Sequence, residues 1–122
     1  MADDHNIAEF IRAYLPSVWA LEMLLRLKAE PARLWTENQL VRELRASTNL
    51  VDENLSRFER QGLALKERAG WRYAAASPSL DALVGQLAQI YRDRPMYTIG
   101  LIARADPLQS LADAFRIRKD ET

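Results

Sequence analysis

The segment from Leu40 to Leu63 reads LVRELRASTNLVDENLSRFERQGL and holds the pattern that decides the fold. Apolar residues recur at helical spacing on both sides of a short polar stretch, 45–47, in which Ser47 is expected to cap a second helix. The residues expected on the buried face of that second helix are Val51, Leu55 and Phe58. Gly62 follows as a left-handed C-terminal cap. The segment therefore predicts two helices joined by a tight turn.

The residues on either side extend this pair into a larger motif. The first helix is expected to begin at Thr36, because Thr36 and Gln39 have the spacing of a capping box. After Gly62 apolar and polar residues alternate, which predicts a two-stranded hairpin that turns at 68–70. The residues expected on one face of this hairpin are Leu63, Leu65, Trp71 and Tyr73. Two helices followed by a hairpin predict a winged helix-turn-helix over 36–76.

Helical patterns also precede this region. Two helices are expected over 6–30, the first capped by Asn6. The second is expected to be capped by Ser17, or to have Pro16 in its first turn.

Further helical patterns follow the hairpin, over 79–118. Pro95 is expected to break or kink this run, and Asp106 with Pro107 is expected to open a last helix. The predicted fold class is therefore mainly α with a small β-hairpin wing (α+β). It is a winged helix-turn-helix with extra N- and C-terminal helices, and 1–122 is expected to form a single domain.

The segment 40–63 resembles the core motif of winged-helix bacterial regulators, and best matches those of the multiple-antibiotic-resistance (MarR) type. The family pattern is a leucine pair, a tight turn, a serine, a valine four residues later and a closing Gly-Leu. The residues that meet it in register are Leu40, Leu44, Ser47, Val51, Leu55, Phe58, Gly62 and Leu63. One departure is Arg45, which stands where family members often carry glycine. The segments 91–95 and 112–119 are also similar to stretches of small bacterial proteins with this layout, a resemblance that implies no activity.

The resemblance implies a DNA-binding transcriptional regulator in which helix 47–61 is the recognition helix and hairpin 63–75 is the wing. It also implies that the flanking helices, including those of 79–118, interlock two subunits as a homodimer. The residues expected to contact double-stranded DNA are Ser47, Thr48, Asn49, Glu53, Ser56, Arg57, Arg60, Lys66, Arg68 and Arg72. Two alternatives stay open. The flanking helices can instead fold back on a monomeric core, and the charged residues can instead form solvated surfaces in which Arg57 or Arg60 pairs with Glu53 or Glu59.

The balance of basic and acidic residues is compatible with a second function. The chain has 17 basic and 17 acidic residues, whereas DNA-binding proteins usually carry a basic excess. Asp52 and Glu53 lie on the probing face, where phosphate repels them, although carboxylates can accept from the cytosine amino group. The alternative function is therefore a protein–protein interaction module on the same scaffold, in a signalling or transcription complex that does not bind DNA directly. A ligand-sensing regulator with an apolar pocket is a lesser possibility.

Three tryptophans raise the question of an aromatic site. Trp19, Trp35 and Trp71 could form an aromatic cage or a base-stacking platform. Packing in the core is the favoured interpretation, with Trp35 beside a helix cap and Trp71 inside the hairpin.

Catalysis is not expected. His5 is the one histidine and the chain has no cysteine, so no Ser-His or Cys-His pair and no metal-binding cluster is predicted. The four glycines form no phosphate-binding loop, so no cofactor is expected. The sequence contains no run of eighteen apolar residues, so no membrane partner is expected. The acidic start of the chain is unlike a secretory signal, which predicts a cytoplasmic location.

Overall fold

The computed structural model of the chain describes residues 2–105, and the side chains of 6–103. The elements in chain order are α1 (Ala2–Tyr14), α2 (Val18–Ala29), α3 (Glu37–Leu44), α4 (Thr48–Arg60), β1 (Ala64–Glu67), β2 (Gly70–Tyr73), α5 (Pro78–Asp93) and α6 (Pro95–Ala105). The predicted class, mainly α with a β-hairpin wing, is confirmed. The helix expected to open at Asp106 and Pro107 lies outside the described residues.

The N-terminal helices differ from the sequence prediction at one cap. α1 begins at Ala2, so Asn6 lies inside the helix and its predicted capping role is wrong. The apolar spacing that starts at Ile7 reports the buried face of a helix and carries no information on how far the helix extends before it. Ser17 does cap α2, since its hydroxyl accepts the backbone N–H of Ala20 at 3.2 Å.

The helix-turn-helix forms through local hydrogen bonds that the sequence predicts. Thr36 and Gln39 make a complete capping box at the start of α3, with distances of 3.1 and 3.0 Å. Ser47 caps α4 by accepting the backbone N–H of Leu50 at 3.1 Å. Arg45 ends α3 in the left-handed region, with φ 53° and ψ 43°. An arginine thus adopts the conformation that glycine most readily supplies.

α4 packs one face against the core. Val51, Leu55 and Phe58 are fully buried, as their spacing predicts. Burial of such a side chain stabilises a fold by roughly 1.5–3 kcal/mol, so these three residues hold the helix in place. Asn54 is also buried, and its amide donates to the carbonyl of Leu50 at 2.9 Å.

The register of the hairpin decides which side chains face the core. Tyr73 pairs with Ala64 and Trp71 pairs with Lys66, while Arg72 pairs with Leu65. Trp71 and Tyr73 are buried as predicted, but Leu65 is 46% exposed, so its predicted inward position is wrong. Leu63 is buried before β1 begins, and the alternation does not run unbroken from that residue into the strand.

A third stretch of chain pairs with the hairpin at one position. Trp35 and Trp71 exchange two backbone hydrogen bonds of 2.7 Å each, which forms an antiparallel bridge. Gly70 precedes this contact with φ +152°, and a Cβ at this position would lie 2.5 Å from the carbonyl oxygen of Trp35. The bridge therefore ties the wing to the segment that precedes α3.

The C-terminal helices begin where their sequence signals predict. Ser77 caps α5 by accepting the N–H of Leu80 at 3.1 Å, with Pro78 in the first turn. α5 ends at Asp93 and α6 begins at Pro95, so the predicted break at this proline is confirmed. One cluster of buried apolar side chains draws on all of the described helices and on the hairpin. Its members include Ile7, Leu21, Leu40, Leu55, Trp71, Val84 and Ile102.

Candidate nucleic-acid interface

The face of α4 opposite the core carries most of the candidate DNA-contacting residues. Ser47, Thr48, Asn49, Glu53 and Arg60 are exposed, and Ser56 and Arg57 are half-buried. The 100° step of a helix separates these positions from the buried Val51, Leu55 and Phe58. The helix therefore presents polar side chains outward along its length.

The hydroxyl of Ser47 already has a structural role. It accepts the N–H of Leu50 as the cap of α4, which leaves its O–H and one lone pair for another group. Thr48 and Asn49, in the first turn, have exposed side chains. The N-terminal turn of α4 is therefore exposed and carries polar side chains without charge.

The arginines near the end of α4 carry uncompensated charge. Among the described residues, neither Arg57 nor Arg60 forms an ion pair, so the alternative in which one of them pairs with Glu53 or Glu59 is not observed. The Nε of Arg57 is buried and meets no acceptor in the described part of the chain. Unpaired guanidinium groups of this kind are suited to bind phosphate, which accepts hydrogen bonds in a matching geometry.

The cations of the wing are not equivalent. Lys66 and Arg68 are exposed near the turn of the hairpin, and Lys66 Nζ lies 5.7 Å from the ring centre of Trp71. Arg72 is half-buried, with its Nε 3.2 Å from Glu67 Oε1 and its Nη1 donating to the carbonyl of Tyr73 at 3.3 Å. Arg72 is thus neutralised on the outer face of the hairpin, and the free cations of the wing are Lys66 and Arg68.

The carboxylates that oppose DNA binding are also free. Asp52 and Glu53 are exposed, and neither joins an ion pair within the part of the chain that the structure describes. They stand in the middle of the same helix as Arg57 and Arg60, whose end of the helix also carries the exposed Glu59 and has a net charge of +1 from these three residues. Phosphate contact is favoured at the arginine end, while the carboxylates can only accept hydrogen bonds.

A polar cluster at the base of the wing has no counterpart in the sequence prediction. Asp81 Oδ1 accepts the hydroxyl of Tyr73 at 2.6 Å and the ammonium of Lys28 at 2.8 Å. The hydrogen bonds from Lys28 and Tyr73 hold the pKa of the Asp81 carboxyl below its usual value. Burial, reinforced by the hydrogen bond and charge of Asp81, raises the pKa of Tyr73 well above its usual value. Lys28 and Asp81 are 53 residues apart, and no sequence pattern relates them.

A second tyrosine–carboxylate pair joins α5 to α2. The hydroxyl of Tyr91 donates to Glu22, and this hydrogen bond, followed by burial, raises the pKa of Tyr91 to about 12. Glu22 also lines an open groove of about 470 Å³. The other lining residues are Val18, Trp19, Arg26, Glu43 and Leu44.

Trp19 corrects one expectation about the tryptophans. Trp35 and Trp71 are buried in the core as predicted, but Trp19 is 42% exposed in the groove between α2 and α3. Its position in α2 lies beside the buried Ala20 and Leu21, so the helix turns the indole away from the core. The three indoles therefore form no shared cage.

The described residues also bear on metal and membrane sites. Within residues 6–103, no group of three His, Asp or Glu side chains is placed to hold a metal ion. No helix in this part of the chain has the length and apolar character needed to cross a membrane.

The fold is similar to that of one solved regulator. MepR, a transcription regulator of the Staphylococcus aureus multidrug efflux pump MepA, superposes with a TM-score of 0.52 and 15% sequence identity. The match covers 98% of this chain and 93% of the MepR chain. At this identity the likeness concerns the fold, and it confirms the winged helix-turn-helix with flanking helices. No protein-family model matches the chain, and no curated protein sequence matches it.

Proposed function

We propose that the chain is a DNA-binding transcriptional regulator, with helix 47–61 as its recognition helix and hairpin 63–75 as its wing. The observation that carries the proposal is the set of uncompensated cations on these two elements of a winged helix-turn-helix. These cations are Arg57, Arg60, Lys66 and Arg68. The proposal assigns no catalytic, metal or cofactor role, and such a regulator acts in the cytoplasm, where bacterial DNA lies.

The two ends of α4 take different parts in this proposal. In helix-turn-helix proteins the N-terminal residues of the second helix contact base edges, and here Thr48 and Asn49 are exposed at that end. Arg57 and Arg60 contact phosphates, as do Lys66 and Arg68 at the wing.

The acidic pair on α4 limits which bases the helix can read. Asp52 and Glu53 offer only acceptors, so the base they suit in the major groove is cytosine, through its amino group. Ser56, half-buried between the two ends, can donate or accept through its hydroxyl.

The number of phosphates that the protein contacts predicts how steeply its DNA affinity falls with salt. Each neutralised phosphate contributes about −0.9 to the slope of log K against log salt concentration on B-DNA. The four cations of helix 47–61 and hairpin 63–75 that form no ion pair among the described residues therefore predict a slope of about −3.6 per protomer, and about −7 for a dimer. Arg72 is left out of this count because Glu67 already neutralises it.

A homodimer completes the proposed regulator. Several apolar residues of α5 and α6 are only partly covered by the core, and Met96 at the start of α6 is 75% exposed. The partly covered residues are Leu80, Leu83, Ile90, Tyr91 and Leu101. A two-fold partner would cover this surface and set the recognition helices about one DNA turn apart. Sedimentation equilibrium tests this, because a chain that stays at 14.0 kDa at all micromolar concentrations is not a dimer.

Fluorescence anisotropy with a mixed-sequence DNA duplex tests DNA binding directly. Binding at about 50 mM salt should weaken steeply toward about 200 mM. An Arg60→Ala/Arg68→Ala variant should reduce the salt slope by about 2 per protomer. Arg12→Ala is the matched control, because Arg12 is an exposed arginine of α1 and belongs neither to the recognition helix nor to the wing. No binding at the lower salt concentration, or binding that ignores salt, would overturn the proposal.

A second candidate function is protein recognition without DNA binding. It is favoured by Trp19, an exposed indole in an open groove, and by the free carboxylates of Asp52 and Glu53. Tryptophan is enriched among residues that dominate protein–protein binding. Affinity capture from a native lysate should then recover a partner with the natural chain and lose it with Trp19→Ala or with Asp52→Arg/Glu53→Arg. Equal recovery by all three proteins, or no recovery by any, would count against this function.

A further inference from the structure

Three side chains from three elements meet at the base of the wing. Tyr73 ends β2, Asp81 lies in the first turn of α5, and Lys28 lies in the last turn of α2. One oxygen, Asp81 Oδ1, accepts from both the Tyr73 hydroxyl at 2.6 Å and Lys28 Nζ at 2.8 Å. Lys28 Nζ also lies 5.0 Å from the centre of the Tyr73 ring. We call Lys28, Tyr73 and Asp81 the wing clamp.

The hairpin depends on such contacts for its orientation. A two-stranded hairpin is at best marginally stable by itself, so its direction is set where it meets the body of the protein. The Trp35–Trp71 bridge joins the wing to the segment before α3. The wing clamp joins the same strand to α5 and α2 through side-chain hydrogen bonds.

Because the ring of Tyr73 is buried, removal of its hydroxyl tests the hydrogen bond to Asp81 specifically. Tyr73 is only 6% exposed, so its ring packs in the core while its oxygen reaches Asp81. Removal of this oxygen alone leaves the ring, the register with Ala64 and the tryptophan bridge in place. A change that follows from Tyr73→Phe therefore reports the hydrogen bond rather than the core.

Small movements at the base become large at the tip. A strand of four residues is about 13 Å long, so a tilt of about 10° at Tyr73 moves the turn by about 2 Å. A hydrogen bond from Arg68 to a phosphate does not survive a displacement of that size, because donor and acceptor must lie within about 3.2 Å. The base of the wing thus controls whether its tip makes contact.

We infer that Tyr73 and Asp81 are positioning residues for the wing, and that they set where Arg68 meets the DNA backbone. The effect on DNA rests on the proposed function. The hold of the clamp on the wing does not, because it can be measured in the free protein.

Hydrogen exchange of the free protein tests the clamp itself. Tyr73→Phe should increase the exchange rates of the β1 and β2 amides by at least about threefold, as a local opening becomes easier. The matched control is Tyr91→Phe, which removes a tyrosine–carboxylate hydrogen bond at the other end of α5. It should leave the wing amides unchanged. If Tyr73→Phe does not fold, Asp81→Ala replaces it, since it removes the acceptor of the Tyr73 hydroxyl and the Asp81 side chain is 49% exposed. Unaltered wing exchange in the folded variant would overturn the inference.

A double-mutant cycle on DNA affinity tests the positioning role. Arg68→Ala should weaken binding of the natural chain, and this penalty should shrink by at least about twofold in the Tyr73→Phe background. In the Tyr91→Phe background the Arg68→Ala penalty should be unchanged. Additive effects of Tyr73→Phe and Arg68→Ala would overturn the positioning role, because a merely structural change leaves the wing contact intact.

The two measurements separate failure of the inference from failure of the proposed function. If the natural chain binds no DNA, the proposed function is wrong, and hydrogen exchange still decides whether the clamp holds the wing. If the chain binds DNA and the cycle is additive, the proposed function stands and the positioning role is wrong.

Discussion

Replacement of Gly70 by alanine should detach the wing from the segment before α3. A Cβ at this position would lie 2.5 Å from the carbonyl oxygen and 2.9 Å from the carbonyl carbon of Trp35, both of which are backbone atoms. The φ of +152° is also a conformation that residues with a side chain rarely adopt. Relief of either conflict requires movement of the bridge between Trp35 and Trp71.

The expected loss can be assembled from these contacts. A backbone conformation of this type costs roughly 1–3 kcal/mol for a residue other than glycine. The two hydrogen bonds of the bridge contribute about 0.5–1 kcal/mol each. Gly70→Ala should therefore lower the free energy of unfolding by about 2–5 kcal/mol, which is a large part of the roughly 5–15 kcal/mol of a typical domain.

Urea denaturation followed by tryptophan fluorescence measures this loss, because Trp35 and Trp71 flank the altered contact. With a slope of about 2 kcal/mol per molar urea, the midpoint should fall by about 1–2.5 M at one fixed protein concentration. The matched control is Gly85→Ala in α5, where an added Cβ meets nothing within 4 Å. It should raise stability by about 0.5–1 kcal/mol. A Gly70→Ala midpoint equal to or above that of the natural chain would refute the reasoning.

Three further changes follow from single residues. Arg45→Gly should raise the free energy of unfolding by up to about 1 kcal/mol, because Arg45 has φ 53° at the end of α3; a lower urea midpoint would contradict this. Asp81→Asn should be less stable than the natural chain near neutral pH, and denaturation midpoints at a series of pH values should converge below about pH 3.8. The reason is that folding lowers the pKa of Asp81, so the ionised carboxylate stabilises the fold above the pKa of the unfolded chain. This stabilisation is lost as the pH falls through the pKa of the folded protein. A difference between the two midpoints that stays constant down to about pH 2 would disprove this prediction. Tyr91→Phe should leave the phenolate absorbance up to about pH 10.5 unchanged, because Tyr91 stays protonated in that range. The hydrogen bond to Glu22 raises the pKa of Tyr91 to about 12. Reduced absorbance in the variant would show that Tyr91 titrates normally.

Local patterns predicted the helix-turn-helix well because its decisive interactions span few residues. The capping box of Thr36 and Gln39 and the cap at Ser47 each join residues three positions apart. The buried stripe of α4 follows from helical spacing alone. The outward face of the candidate recognition helix could therefore be assigned from the sequence, including the exposure of Asn49 and Arg60.

The state of each charge on that face could not be assigned in the same way. Arg57 and Arg60 had possible partners one helical turn away, yet they form no ion pair among the described residues. Arg72 was expected to contact DNA, and the sequence did not show that it pairs with Glu67 across the hairpin. Flexible charged side chains have several partners in reach, and small differences in backbone position decide between them.

By itself, the sequence determined where α2, α3 and α4 begin, which face of α4 is buried and that a hairpin follows Gly62, since each depends on neighbours within a turn of helix or a short strand. Only the tertiary structure decided that Leu65 faces outward and Trp19 stays exposed, because strand register and helix packing set those orientations. It also decided that Lys28, Tyr73 and Asp81 meet at the base of the wing. Their contact joins residues up to 53 positions apart, and such a contact arises only from the packing of α2, β2 and α5 against one another.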